Sequence, residues 1–163
     1  LGAVAGAALL ALGAGRAVLA ADPISVGVIA NLTGSDPQSS VDMVRGVELA
    51  VGQVNDAGGV KGRPIKLIVE DSEYKAQAGL DAAAKLFDVD KVEAAIVFGG
   101  SSVTIPIAEM LAPKGKVILN TSASSSKLGK YAGTVFSTLP LDDIGPAVAQ
   151  RAGSAFLSGR GSR

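Results

Sequence analysis

Five short runs rich in Val and Ile, set apart by segments of helical period or by turn residues, constrain this chain more than any other feature. ISVGVIA (24–30), IKLIVED (65–71), AAIVFG (94–99), KVILNT (116–121) and a short TVFST (134–138) all have strand length. Most are near-continuous in apolar character, as expected for strands buried on both faces. Alternation of such runs with helical segments argues for an α/β fold with a parallel sheet built from βαβ units.

The intervening segments carry the helical signal. Val44, Val47, Val51 and Val54 recur at helix spacing, with Arg45, Glu48 and Gln53 on the other side. This helix ends at NDAGG (55–59), where two glycines can take the left-handed geometry that stops a helix, and Gly62 with Pro64 turns the chain into the second strand. Residues 75–87 form a second helix with Leu80, Ala83, Ala84 and Phe87 as its apolar stripe. A third spans 103–112, where Pro106 is tolerated only within the first turn. No internal repeat is visible.

The two ends read differently. LGAVAGAALLALGA (1–14) is wholly apolar or Gly and leads through Arg16 to VLAAD (18–22), the pattern of a secretory signal peptide over 1–20 cut after Ala20. An exposed membrane anchor and a buried helix are the competing readings, although the run is shorter than the roughly 20 residues a membrane span needs. GAGRAV (13–18) follows no strand and is no dinucleotide fingerprint. After Asp142 and Asp143 a helix begins, but AQRAGSAFLSGRGSR yields no further strand. Residues 144–163 are therefore expected to be a truncated or frame-altered tail, and 21–143 a partial lobe.

Composition excludes several functions. With 163 residues the chain holds one domain, and 15 basic against 15 acidic residues without a Lys/Arg cluster leave no field for nucleic acid. It has no Cys and no His, hence neither thiolate nor imidazole for a zinc site and no imidazole as general base. No metal site and no cofactor are expected.

In open parallel sheets, ligands bind beyond the carboxyl ends of the strands. Three loops there are rich in hydroxyls: NLTGSDPQSS (31–40), GGSSVT (99–104) and NTSASSS (120–126). Gly99 and Gly100 allow close backbone approach, while Ser101 or Ser102 can cap the following helix and present a hydroxyl outward. A helix start favours a carboxylate, so the chemistry implied is capture of a small anion or zwitterion. Serines that only cap helices and close turns are the plainer alternative for any one position.

Enzyme motifs fail on inspection. GGSSV (99–103) lacks the second Gly of a nucleophile elbow, and no His can activate its serine. GGVKG (58–62) leads into a strand where a phosphate loop would lead into a helix. Glu70, Asp71 and Glu73 suggest Mg²⁺ less than they suggest a solvated loop or local capping.

Taken in order, ISVGVIANLTG, RGVELAVGQVNDAGGVKGRPIKLIVED, AAIVFGGSSVTIPIAEM, KVILNTSASSSKL and TVFSTLPLDD resemble the branched-chain amino-acid-binding proteins of ATP-driven transporters over residues 24–143. The join NDAGGVKGRPIKL is the most specific element. The resemblance implies a type I periplasmic binding protein fold, here an incomplete first lobe of a two-lobed clamp, with a parallel sheet flanked by helices. It implies a periplasmic or secreted protein that captures a small amino acid, or a related amide or carboxylate, for an ABC permease. A ligand-sensing domain of the same fold and a small flavodoxin-like enzyme are the alternatives. Ser101 matches the family's carboxylate-binding serine, with Gly100 before it. Ser122 falls where a small residue offers backbone contacts, with Ala123 beside it as a further ligand-binding candidate, Ser124 where a Thr or Ser hydroxyl binds the ligand, and Ser39 where a larger side chain often lies. The second lobe, which in that family holds the amine and side chain, has no counterpart in this sequence.

Overall fold

A computed structural model describes residues 22–35 and 37–142 of the chain. The expected leader over 1–20, the tail over 144–163 and the helix after Asp143 lie outside the described residues.

Five parallel strands form one sheet in the order β2-β1-β3-β4-β5, where β1 is Ile24–Ala30, β2 Ile65–Asp71, β3 Ala94–Phe98, β4 Val117–Asn120 and β5 Val135–Ser137. Each strand coincides with an apolar run read from the sequence. The helices are α1, Gln38–Asp56; α2, Ala76–Ala84; and α3, Ser101–Leu111. No helix among the described residues is long and apolar enough to cross a membrane.

Side-chain alternation along β1 sends neighbours to opposite faces. Val28 and Ala30 meet Val44 of α1 together with Leu67 and Val69. Ile29 turns the other way, into the main core of Ala83, Leu86, Val97, Val103, Ile107, Leu111 and Ile118. Thus α1 covers one face, and α2 with α3 covers the other. On the α1 side the register aligns Val28, Ile96, Leu119 and Phe136 across four strands. Leu119 and Phe136 at the far end of that row are 37% and 54% exposed.

Three sequence expectations need correction. The α1 stripe is fully buried only at Val44: Val47 and Val51 are half-buried and Val54 is exposed, because among the described residues α1 has no second helix beside it on its face. The α2 stripe omits Leu86, which is fully buried next to Phe87. Residues Lys85–Val89 form a π turn, in which Asp90 N–H reaches the Lys85 carbonyl at 2.9 Å, and the wider turn rotates adjacent residues onto the core. Finally, Pro106 lies inside α3, in its second turn, because the helix starts two residues earlier than the periodicity implied. The N–H that Pro106 lacks would have met the Ser102 carbonyl, and Ser102 is exposed, so water can serve that group.

The join between α1 and β2 follows from its side chains. Gly58 (φ 98°) and Gly59 (φ 75°) take left-handed conformations, and Gly59 N–H bonds the Val54 carbonyl at 2.9 Å, closing the helix. Asn55 then grips the start of β2 from both sides: its Nδ2 donates to the Ile65 carbonyl at 2.9 Å, and its Oδ1 accepts from Ile65 N–H at 2.7 Å.

Glycines inside helices give opposite predictions. A Cβ on Gly79 would lie 2.7 Å from Val103 Cγ1 and 3.3 Å from Ile107 Cδ1, where α2 and α3 touch. Gly79→Leu should therefore lower stability by about 1–3 kcal/mol or more. At Gly52 nothing stands within 4 Å of the added carbon, so Gly52→Ala should raise stability by about 0.5–1 kcal/mol. Urea unfolding of the two variants checks both signs.

Candidate functional site

Strand order reverses direction at β1 and β3, and the crevice beyond their carboxyl ends is where a sheet of order 2-1-3-4-5 binds ligands. Four loops meet there, one after each of β1 to β4, and hydrogen bonds tie them in pairs.

The loops after β1 and β2 are joined by one carboxylate. Asp71 Oδ1 accepts from Leu32 N–H at 2.9 Å, Thr33 N–H at 3.4 Å and Glu73 N–H at 2.8 Å, and Oδ2 accepts the Thr33 hydroxyl. Partial burial pushes the Asp71 carboxyl up, but the Thr33 hydroxyl and then the Glu73, Leu32 and Thr33 N–H groups outweigh it and hold the pKa below its ordinary value. Gly34 (φ 89°) allows the first loop to back onto the second: a Cβ there would lie 2.7 Å from the Glu73 carbonyl oxygen. Deeper in, the Ser40 hydroxyl donates to buried Asn31 Oδ1 and fixes the start of α1.

The loops after β3 and β4 share the Gly99 carbonyl, which accepts the Thr104 hydroxyl at 2.6 Å and the Ser122 hydroxyl at 3.2 Å. Ser101 Oγ accepts from Ser125 N–H at 3.3 Å. Asn120, fully buried, organises the turn that follows β4: its Oδ1 accepts from Ala123 N–H at 2.9 Å and Ser122 N–H at 3.3 Å, and its Nδ2 donates to the Ala123 carbonyl at 2.7 Å.

Helix α3 begins where this crevice opens. Its cap is Gly100, which has no side chain to close the helix, so Ser101 and Ser102 stand at the first two helical positions and neither caps it. Val103 and Thr104 N–H both bond the Gly100 carbonyl, at 2.9 and 3.0 Å. The N–H groups of Ser101 and Ser102 carry no helical acceptor, and the dipole of an eleven-residue helix lies behind them.

A cavity of about 390 Å³ occupies the crevice. Asn31, Ser35 and Ser39 line it from the first loop, Tyr74 from the second, Phe98, Gly99 and Gly100 from the end of β3, and Ser122 from the fourth. That volume is within the roughly 300–1,000 Å³ usual for small-molecule sites. No Asp, Glu, Lys or Arg is among these lining residues.

Of the residues singled out from the sequence, Ser39, Gly100 and Ser122 form the wall. Ser101, Ala123 and Ser124 are not lining residues. Ala123 has its N–H and carbonyl both bonded to the Asn120 side chain. The Ser124 carbonyl accepts from Asp142 N–H at 2.7 Å. Asn31 and Ser35 belong to the first of the three hydroxyl-rich loops read from the sequence, whereas Tyr74 and Phe98 were missed as lining residues. Applying the carboxyl-end rule to the second strand as well as to the others would have found Tyr74.

The acidic residues after β2 are employed locally. Lys85 Nζ contacts Glu70 at 2.5 Å and Asp90 at 3.0 Å, Lys75 Nζ pairs with Glu73 at 2.8 Å, and Asp71 is filled by N–H and O–H donors. Among the described residues no group of three His, Cys, Asp or Glu is placed to hold a metal.

A doubly wound parallel sheet with a hydroxyl-lined cavity at its switch point and a bare helix start is an α/β architecture suited to holding a small solute. A periplasmic binding protein family model matches residues 23–162, and the chain belongs to that family, whose members work outside the cytoplasm. It is 30% identical over 136 residues to the Leu/Ile/Val-binding protein BraC3 of Rhizobium johnstonii, covering 83% of this chain and 37% of that protein. An ABC transporter substrate-binding protein from Desulfitobacterium hafniense, solved in complex with Leu, is 29% identical with a TM-score of 0.67, over 86% of this chain and 39% of that one. A putative branched-chain amino acid ABC transporter protein from Rhodospirillum rubrum shares the fold at a TM-score of 0.77 and 22% identity, over 85% of this chain and 39% of that one. The chain thus spans a little over a third of the length of these relatives.

The Asp71 latch has a definite pH dependence. A carboxyl whose folded pKa lies below its unfolded value contributes stability fully present above that value, about pH 4, and lost as pH falls through the folded value. The amide shifts of Leu32, Thr33 and Glu73 should therefore move together in acid titration below about pH 4, and that transition should vanish in Asp71→Asn. Unmoved amides in the parent chain would show that the carboxylate does not hold these loops.

Proposed function

We propose that this chain supplies the carboxylate-holding face of a clamp that captures a small amino acid, or a related amide or carboxylate, for an ABC importer. The observation that carries this reading is the start of α3, where Ser101 and Ser102 N–H lack helical acceptors beside an uncharged cavity of about 390 Å³. A carboxylate there gains two N–H donors and the favourable end of the helix dipole. The Ser101 hydroxyl, whose oxygen already accepts from Ser125 N–H, keeps its proton to donate. Ser39 and Ser122 on the walls offer hydroxyl oxygens to the amine or amide end, the Ser122 proton being given to the Gly99 carbonyl.

This is binding without catalysis. A nucleophilic serine needs a base within reach, and the partner of Ser101 Oγ is the Ser125 N–H, a donor that cannot take its proton. In the same reading, residues 1–20 are a cleaved leader, 21–143 belong to the first lobe, and the permease recognises the closed clamp. The relatives' names support the solute class: one is a Leu/Ile/Val-binding protein, and another was solved with Leu. A lobe alone buries only one side of a ligand, so affinity should be weak.

Calorimetric titration of the chain with leucine, isoleucine, valine and glutamate tests the proposal. Binding in the millimolar range is expected, weakened about tenfold or more by Ser101→Ala, since hydrogen bonds to charged groups contribute about 1.5–3 kcal/mol. Thermal melting of the variant separates lost binding from lost folding. No binding by any of the four, or unchanged affinity in a folded Ser101→Ala variant, would remove this assignment.

A further inference from the structure

The two halves of the rim are each stitched internally, and Tyr74 bridges them. It belongs to the loop after β2, held by Asp71, yet its ring lies against Gly100, the cap of α3. A Cβ on Gly100 would overlap the Tyr74 hydroxyl and lie 3.0 Å from its Cζ. Glycine at position 100 is thus what allows the phenol to reach the helix start.

The backbone that delivers the ring is unusual. Glu73 (φ 50°) and Tyr74 (φ 58°) are consecutive non-glycine residues in the left-handed region. Such a pair matches the central positions of a type I′ turn, normally Asn or Gly, and the Lys75 N–H closes it on the Ser72 carbonyl at 2.7 Å. Strain of this kind persists only where the surroundings over-determine it, and it clusters at ligand clamps. Asp71 bonded to Glu73 N–H, and Ser72 N–H bonded to the Ala30 carbonyl at 2.8 Å, supply that restraint.

Tyr74 lines the cavity, is 45% exposed, and its hydroxyl forms no hydrogen bond among the described residues. It therefore sits beside the free N–H groups of α3 with its proton unassigned.

We infer that Tyr74 is a ligand-binding residue whose hydroxyl donates to the bound carboxylate next to the N–H groups of Ser101 and Ser102. Gly100 serves as the gap that admits it. This rests on the proposed amino-acid site and adds to it a donor carried by a different loop. Because a carboxylate is a stronger acceptor than an amide carbonyl, that donor favours an acid over its neutral amide. A phenol reaching from one half of the rim to a ligand held by the other also couples ligand occupancy to the joint between them.

The test is affinity for leucine and for leucinamide, which lacks the carboxylate, in the parent chain and in Tyr74→Phe, which removes one oxygen and keeps the ring. Leucine affinity should fall about tenfold in Tyr74→Phe, and leucinamide affinity by clearly less, since a hydrogen bond to a neutral carbonyl is weaker than one to a carboxylate. Gly100→Ala, which displaces the ring, should reproduce the leucine loss. The chain has two Tyr and no Trp, so in a Tyr131→Phe background the ultraviolet difference spectrum reports Tyr74 alone. Leucine should perturb that spectrum more strongly than leucinamide does. Equal loss for both ligands in Tyr74→Phe, or no loss, overturns the inference, and if Ser101→Ala still weakens leucine binding the site itself stands. Failure of the parent chain to bind leucine overturns both.

Discussion

The reversal of strand order at β1 is the constraint on which the rest of the structure depends. Because β2 lies on one side of β1 and β3 on the other, α1 is sent to one face of the sheet and α2 and α3 to the opposite face. The chain ends of β1 and β3 then diverge, and the space between them cannot be filled by either helix layer. The cavity follows from topology, and its chemistry is set by which residues the loops bring to it.

Those loops need restraint, since segments beyond strand ends have few apolar contacts to order them. Here the restraint is polar and local. Asp71 collects donors from two loops, the Gly99 carbonyl collects hydroxyls from α3 and from the turn after β4, and Asn120 closes that turn. Many hydroxyls that look in sequence like ligand-binding groups are therefore engaged in holding the rim. The groups left for a ligand are fewer: two N–H groups at the start of α3, the hydroxyl proton of Ser101 and the phenol of Tyr74 at the carboxylate end, and the hydroxyl oxygens of Ser39 and Ser122 on the walls.

Much of this was legible in the sequence, for physical reasons that also mark where it stopped. Central strands write themselves as continuous apolar runs, as β1 and β3 do, and the more exposed β2, β4 and β5 were still marked by Val, Ile and Phe set between turn residues. NDAGGVKGRPIKL announced its turn through glycines that adopt positive φ. The π turn at Lys85–Val89 was not legible, because it breaks the 3.6-residue period on which stripe assignment relies. Nor was the true cap of α3: serines are favoured caps, whereas Gly100 takes that position because Tyr74 needs the room. Tyr74 itself was hidden because a left-handed tyrosine is improbable from local preference alone and is imposed by the Asp71 network. The hold of Asn120 on Ala123 was not legible either, because which N–H groups a buried Asn takes is a matter of three-dimensional geometry.

The most direct test of the account is to follow backbone amide resonances while leucine is added to the chain. The account predicts that the largest shifts fall on Ser101 and Ser102, whose N–H groups gain an acceptor, with Tyr74 and Ser122 next. Shifts that bypass the first turn of α3 and gather elsewhere, for instance around the hollow beside Glu70, Asp81 and Lys85, would contradict it.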